Sequence, residues 1–147
     1  MLNRRHIRIK VLQILFAYYT EEKPDAARYE KMLFESVDRF RELYISLMGI
    51  LVEMHKLAIE KIEMGMQKRL PSHEDLHPNT RFVTNEILRI LAHSRTLAGG
   101  MKYNHLQWTE NPELIKKLFR ELLETEEYKD YMGSQERGFE FDKELIL

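Results

Sequence analysis

The sequence predicts an all-α protein, a helical bundle of about five to six helices with one long or kinked helix pair. Apolar residues recur three and four positions apart along most of the chain, which is the spacing of an amphipathic helix. The strict alternation of apolar and polar residues that indicates a half-buried β-strand is nearly absent. A length of 147 residues is natural for one domain, so we expect a single all-helical domain over residues 1–147.

The first helix is predicted over residues 4–20. Its apolar positions follow one helical face, and Asn3 is a suitable N-cap because its side-chain oxygen can accept from a free amide of the first turn. The residues on that face are Ile7, Val11, Ile14, Leu15 and Tyr18.

A long helical element is predicted over residues 24–70, with Pro24 in the first helical position. Its apolar stripe runs from Leu33 to Ile62. An unbroken helix of this length would span about 70 Å, which is long for a compact domain. We therefore expect a break or kink between Phe40 and Gly49 that produces a helix pair.

Three more helical regions complete the predicted fold. A helix over residues 80–97 is expected to end at Gly99-Gly100, and a helix over 112–125 follows Asn111-Pro112. Residues 126–147 are predicted as short helical pieces, beginning with an aromatic turn, EEYKDYMGS.

Composition restricts the class of protein. The chain has no cysteine, so it can form neither a disulfide framework nor a thiolate metal site. Its longest uncharged, largely apolar run extends only from Leu43 to Val52, well short of the roughly 18 residues that cross a bilayer. With no recognisable signal peptide, we expect a cytoplasmic protein without membrane association.

The stretch HEDLH at 73–77 has the His-Glu-x-x-His spacing of zinc hydrolases, in which two histidines hold zinc and the glutamate activates water. Pro71 and Pro78 flank it, and Pro78 disfavours helical geometry at His77. Ser72 with Asp75 instead indicates a cap on a single helical turn. We expect neither a metal site nor a cofactor, and no motif indicates an enzyme.

Trp108, with Tyr103 and His105 nearby, has two interpretations. These side chains would provide a platform on which bases stack, or Trp108 would anchor a connection to the core. We favour the anchoring role.

The opening segment NRRHIRIK is strongly basic, and the first acid of the chain is Glu21. At about 100° per residue, its three arginines fall within an arc of about 100°, and the other basic residues lie on a second polar line. Guanidinium groups at the start of a helix suit anionic oxygens, although a solvated helix start is the simpler alternative. The predicted RNA-binding residues are Arg4, Arg5, His6, Arg8 and Lys10.

The stretch RRHIRIKVLQILFAYY resembles the first helix of the NusB family of bacterial transcription antitermination factors. That helix begins with an arginine cluster and continues to a glutamine, a leucine and an aromatic residue, here Gln13, Leu15 and Phe16. The stretches QKRLP, HPNTRF and EEYKDYM are similar to an elongated subgroup, in which a long helical insertion follows the first helix.

The resemblance implies an all-helical protein that pairs with the ribosomal protein NusE and binds the boxA element of nascent, single-stranded RNA. Such an assembly helps the RNA polymerase elongation complex to pass terminators, chiefly in ribosomal RNA operons. The resemblance assigns RNA contacts to Arg4, Arg5 and Arg8. His6 stands where many relatives have another basic residue, and Lys10 is added on charge and position alone.

The chain departs from the family in its C-terminal half. The family's Phe-Val-Asn-Gly-like run is missing, because FVTNE at 82–86 has no glycine after the asparagine. The chain also ends in FEFDKELIL, which has the pattern of a helix just beginning. We therefore expect the N-terminal part of a longer protein.

Two alternatives stay open. The stripe from Leu33 to Ile62 also fits a helical interaction or scaffold domain without RNA binding, including one that forms a homodimer. The opening helix also fits the NusB-like RNA-binding module of a ribosomal RNA methyltransferase, which would need a cofactor-binding domain further along the chain.

Overall fold

The structure is a computed structural model that describes residues 3–103 and 108–146, except for the side chains of 103 and 109. Within these ranges the regular structure is entirely helical, which confirms the all-α class. The helices are α1 (Arg4–Thr20), α2 (Ala26–Met66), α3 (His73–Leu76), α4 (Glu86–Ala92), α5 (Arg95–Tyr103), a 3-10 turn (Trp108–Glu110), α6 (Pro112–Glu124), α7 (Glu126–Gly133) and α8 (Phe139–Glu144).

Helix α1 has the predicted bounds and the predicted cap. The side chain of Asn3 accepts a hydrogen bond from the backbone amide of His6 at 3.0 Å. The predicted apolar face is only partly covered, because none of the residues of α1 is fully buried. Val11, Ile14 and Tyr18 are half-buried, whereas Ile7 and Leu15 stay exposed.

Helix α2 is one continuous helix, so a break between Phe40 and Gly49 was predicted wrongly, whereas a kink there stays a prediction. That stretch holds no proline, and a single helical glycine costs only about 1 kcal/mol, which is too little to end a helix. Pro24 is also not the first helical residue. The carboxylate of Asp25, which directly precedes the helix, instead accepts from the amide of Ala27 in the first turn at 3.0 Å.

The predicted helix over 80–97 is two helices, α4 and α5. The backbone amide of His93 donates to the carbonyl oxygen of Arg89, which closes α4. The hydroxyl of Ser94 accepts from the amide of Leu97 at 3.2 Å, which starts α5. The predicted end at Gly99-Gly100 is also wrong, because α5 continues through both glycines to Tyr103.

The C-terminal third follows the prediction more closely. Helix α6 lies where expected, although Asn111 makes no side-chain capping bond. The expected aromatic turn is helix α7, whose first turn is capped by the hydroxyl of Thr125 at 3.3 Å from the amide of Tyr128. The extra short helices explain why the described residues hold eight α-helices rather than five or six.

Contacts between residues divide the chain into two compact units, Met1–Leu47 and Met48–Leu147, and the boundary falls inside α2. The prediction of a single domain stays a prediction. In the first unit, α1 runs antiparallel to the first half of α2: the rings of Tyr18 and Tyr29 are 5.5 Å apart at one end, and those of His6 and Phe40 are 5.5 Å apart near the other.

The second unit has its own hydrophobic core. Helix α6 packs on α7 and on the 3-10 turn, and α4 packs on α8. His55 is also buried, with its Nε2 atom 2.8 Å from the carbonyl oxygen of Val83. The buried apolar residues at the centre are Met54, Ala58, Phe82, Leu88, Ile115 and Phe119.

A buried arginine joins distant segments of the second unit. The guanidinium of Arg81 donates to the carbonyl oxygens of Ser134 and Glu136, and its central carbon lies 4.7 Å from the ring centroids of both Tyr131 and Phe141. Its Nε atom is buried without a hydrogen-bond partner. These contacts hold the connection between α7 and α8 against the segment that precedes α4.

Among the described residues, no helix combines the length and the apolar character that crossing a bilayer requires.

Candidate nucleic-acid interface

The start of α1 presents three guanidinium groups to solvent. Arg4, Arg5 and Arg8 are all exposed, and the first turn of the helix contains no acidic residue. Within residues 3–103 and 108–146, none of these arginines forms an ion pair or a side-chain hydrogen bond. The positive charge at this end of the first unit is therefore open to an anionic ligand.

The three arginines share one side of α1. With each residue adding about 100° around the helix axis, Arg8 lies about 40° from Arg4, and Arg5 lies about 100° from Arg4 in the same direction. The half-buried residues Val11 and Ile14 lie about 20° and about 80° from Arg4 in the opposite direction, on the side that packs against α2. The arginines thus project from the flank and outer surface of the helix rather than from its packed face.

The other two predicted site residues do not share this side. His6 lies about 160° around the helix from Arg4, and Lys10, which is half-buried, lies about 120° from Arg4. The ring of His6 contacts Phe40 of α2 at 5.5 Å between centroids. The structure therefore groups Arg4, Arg5 and Arg8, and it places His6 and Lys10 on a separate line at the edge of the packed face.

Two further arginines, which the sequence analysis did not select, lie at the same level of the first unit as this cluster. Arg39 and Arg41 flank Phe40 in α2, are exposed, and form no ion pair among the described residues. Because the His6–Phe40 contact sets the register of the two helices, both arginines lie level with the start of α1. In the sequence, the stretch RFR could have indicated these two residues, because it places an arginine on each side of Phe40, a residue of the apolar stripe.

The acids nearest to these arginines in sequence face another way. On a helical wheel, Asp38 and Glu42 lie about 160° from Phe40, so they point away from α1, whereas Arg39 and Arg41 lie about 100° to either side of Phe40. The two acids of DRFRE therefore lie on a different side of α2 from its two arginines.

The opposite end of the first unit carries an ion pair. Glu21 forms an ion pair with Arg28 at 3.2 Å and also accepts a hydrogen bond from the hydroxyl of Tyr29. That hydrogen bond is the largest cause that raises the pKa of Tyr29, and burial adds to it. Glu21 is about 25 Å along the helix axis from Arg4, so it does not screen the arginines at short range.

The HEDLH stretch forms the capped helical turn that Ser72 with Asp75 predicted. The hydroxyl of Ser72 accepts from the amide of Asp75 at 3.1 Å, and the carboxylate of Asp75 accepts from the amide of Ser72 at 2.9 Å. The rings of His73 and His77 are 4.7 Å apart. Across the part of the chain that the structure describes, no group of three or more histidines and acids is arranged to hold a metal ion.

Trp108 packs against the core of the second unit, as the anchoring interpretation predicted. The Tyr103 side chain and His105, which would complete a stacking platform around it, lie outside the described residues.

Comparison with family models, with curated proteins and with solved structures finds no match for this chain. The resemblance to the NusB family therefore rests on the sequence stretches quoted above.

Proposed function

We propose that this chain is an RNA-binding factor of the NusB type, which uses the start of α1 to hold single-stranded RNA. In this proposal it acts in the cytoplasm with a NusE-type ribosomal protein, on boxA-like RNA emerging from RNA polymerase. The single observation that supports it best is the cluster of Arg4, Arg5 and Arg8, whose members are exposed and form no ion pair among the described residues.

The chemistry of the cluster favours phosphate as its ligand. A guanidinium group is planar, always charged and able to donate two parallel hydrogen bonds to a phosphate. Arg4 and Arg8 are one helical turn apart, so they lie about 6 Å from each other along the axis and can bind a series of phosphates on one strand. Arg39 and Arg41 on α2 lie at the same level of the first unit and add exposed positive charge there.

Salt dependence tests the proposal directly. Each phosphate contact to a single strand contributes about −0.7 to the slope of log affinity against log salt, so the three arginines predict about −2, and a fourth cation would bring it to about −3. The double variant Arg4→Ala/Arg5→Ala should weaken binding and flatten the slope by about 1.4. Fluorescence anisotropy with labelled single-stranded RNA between about 50 and 200 mM salt measures both quantities.

A matched control removes two other exposed arginines. Arg95 and Arg137 lie in the second unit and form no ion pair among the described residues, so Arg95→Ala/Arg137→Ala lowers the net charge equally. This control should leave the slope nearly unchanged. Equal effects of the two double variants on RNA affinity would show that binding reflects net charge alone. An RNA affinity that is unchanged in Arg4→Ala/Arg5→Ala would contradict the assignment.

A further inference from the structure

The exposed surface of α1 continues beyond the arginines as a row of large apolar side chains. Leu12, Phe16 and Tyr19 have 68%, 71% and 79% of their surface exposed. A soluble helix normally places such residues against a core, because covering a large apolar side chain stabilises the fold by about 1.5–3 kcal/mol. Here the packed face of α1 is formed by other residues, so most of the surface of this row is left uncovered within the first unit.

The row and the arginines form one ridge. Arg4, Arg8, Leu12 and Phe16 follow each other at four-residue spacing, and Tyr19 comes three residues later. Side chains three and four positions apart are neighbours on a helix surface. The ridge lies within an arc of about 120° and extends about 22 Å along the axis from Arg4 to Tyr19. Its first two turns carry guanidinium groups and its last two carry aromatic rings.

The ring of Tyr19 is supported from one side. It contacts the ring of Tyr18 edge-on at 5.4 Å between centroids, and Tyr18 in turn contacts Tyr29 edge-on at 5.5 Å. Because Tyr29 is buried between the two helices, this chain of rings fixes the position of Tyr19 while most of its surface stays accessible. A ring held in place loses little conformational freedom when a ligand stacks on it.

We infer that single-stranded RNA lies along this ridge, with phosphates on Arg4, Arg5 and Arg8 and with bases stacked on Phe16 and Tyr19. The inference rests on the proposed function and extends the same site by two residues. A polynucleotide strand offers a row of negative charges and a row of flat π-faces, which are the two complements that the ridge requires. A protein helix would match this ridge only if it carried acidic and aromatic side chains in series on one face, whereas every nucleotide of a single strand supplies both a phosphate and a base.

The substitutions that test this inference separate stacking from apolar contact. Phe16→Leu/Tyr19→Leu keeps exposed apolar side chains of good helix propensity, but removes both rings. RNA affinity should fall by about 5- to 150-fold for each ring removed, with an unchanged salt slope because no phosphate contact is lost. Phe16→Tyr/Tyr19→Phe keeps both rings and should bind as the unaltered chain does. Phe139→Leu, which removes an exposed ring of the second unit, is the matched control.

An RNA with abasic positions gives an independent readout. An oligouridine of about 12 nucleotides, within the usual range of site sizes, is compared with an abasic strand of the same length. The unaltered chain should bind the abasic strand more weakly, whereas the double leucine variant should bind the two strands almost equally. Circular dichroism checks that each variant keeps its helical content.

The outcomes distinguish this inference from the proposed function. If Arg4→Ala/Arg5→Ala does not weaken the binding of either RNA strand, the proposed function fails. If the arginines matter and the double leucine variant binds RNA as tightly as the unaltered chain, only the stacking inference is overturned. It is also overturned if sedimentation shows a dimer that Phe16→Ala/Tyr19→Ala converts to a monomer, because the ridge would then be a contact between two copies.

Discussion

The carboxylate of Asp75 illustrates how a few local donors set the behaviour of one residue. It accepts from the ammonium of Lys68 at 2.8 Å, and from the amide and the hydroxyl of Ser72 at 2.9 Å each. These donors lower the pKa of Asp75 to about 2, and the hydrogen bond from Lys68 is the largest cause. A lowered pKa means that the ionised form stabilises the folded state above the unfolded-chain value of about 4, and that this contribution is lost as the pH falls toward about 2.

Replacing Lys68 by methionine should raise the pKa of Asp75, because the largest cause of its depression is removed while the two Ser72 donors remain. Titration of the Asp75 carboxyl carbon by NMR measures this value. The control Lys56→Met breaks a separate ion pair with Glu53 and should leave Asp75 unchanged. An Asp75 carboxyl that titrates at its ordinary pKa in the unaltered chain would contradict the geometry of this turn.

At the level of elements, helical glycines differ in what surrounds them. A Cβ atom on Gly49 in α2 would lie 2.8 Å from Cε of Met101 and 3.3 Å from Cδ1 of Trp108. A Cβ atom on Gly99 in α5 would meet nothing within 4 Å. Gly49 therefore permits close packing, whereas Gly99 only lowers the intrinsic stability of its helix.

The same substitution at both positions tests this difference. Gly49→Leu should lower the free energy of unfolding by about 1–3 kcal/mol through overpacking, and Gly99→Leu should raise it by up to about 1 kcal/mol through helix propensity. Urea unfolding followed by the fluorescence of the single tryptophan, Trp108, reports on the second unit. A Gly49→Leu variant at least as stable as the unaltered chain would show that packing at Gly49 is looser than its distances indicate, and a destabilised Gly99→Leu variant would contradict the open surroundings of Gly99.

The elements that the sequence predicted well are those with local signals. Asn3 and Ser72 cap their helices as predicted, because capping depends on residues three positions apart. The break in α2 was predicted from its length alone, although the stretch holds no proline to end the helix. The end of α5 at its glycines was predicted wrongly because it depends on contacts between distant parts of the chain. In α5, the buried Leu97 and the packing of Met101 over Gly49 continue the helix where the glycines alone favour a stop.

The candidate site was predictable only in part, for a similar reason. The charge pattern of the first eight residues identifies Arg4, Arg5 and Arg8 without any structure. Arg39 and Arg41 are connected with them only through the antiparallel register of α1 and α2, which sets all five at one level of the first unit. Phe16 and Tyr19 carry no signal of exposure in their sequence, since apolar residues in an amphipathic helix are usually expected to be buried.

Across the second unit, Arg81 connects segments that are far apart in sequence. Arg81→Lys keeps the charge but loses the planar fork that donates to both Ser134 and Glu136. The free energy of unfolding should fall by about 2–4 kcal/mol, because a buried charge loses charge-assisted hydrogen bonds. Arg137→Lys, at an exposed position of the same connection, should change it by less than about 0.5 kcal/mol. Equal urea midpoints for the two variants would contradict the importance of this contact.

The buried residues Arg81, Asn85 and Tyr131 form contacts that can be completed only late in synthesis on the ribosome. Asn85 donates to the hydroxyl of Tyr131 and to the carbonyl oxygen of Asp142, and the carboxylate of Asp142 accepts from the amide of Glu86. The partners of Asn85 are 46 and 57 residues away along the chain, so Asn85 is translated several seconds before the last of them, at about 5–20 residues per second. Until those later residues are made, the side-chain amide of Asn85 lacks both of its acceptors and the guanidinium of Arg81 lacks Ser134 and Glu136, whereas both helices of the α1–α2 hairpin have already been synthesised. The nascent chain can therefore present its arginines before its C-terminal half has closed.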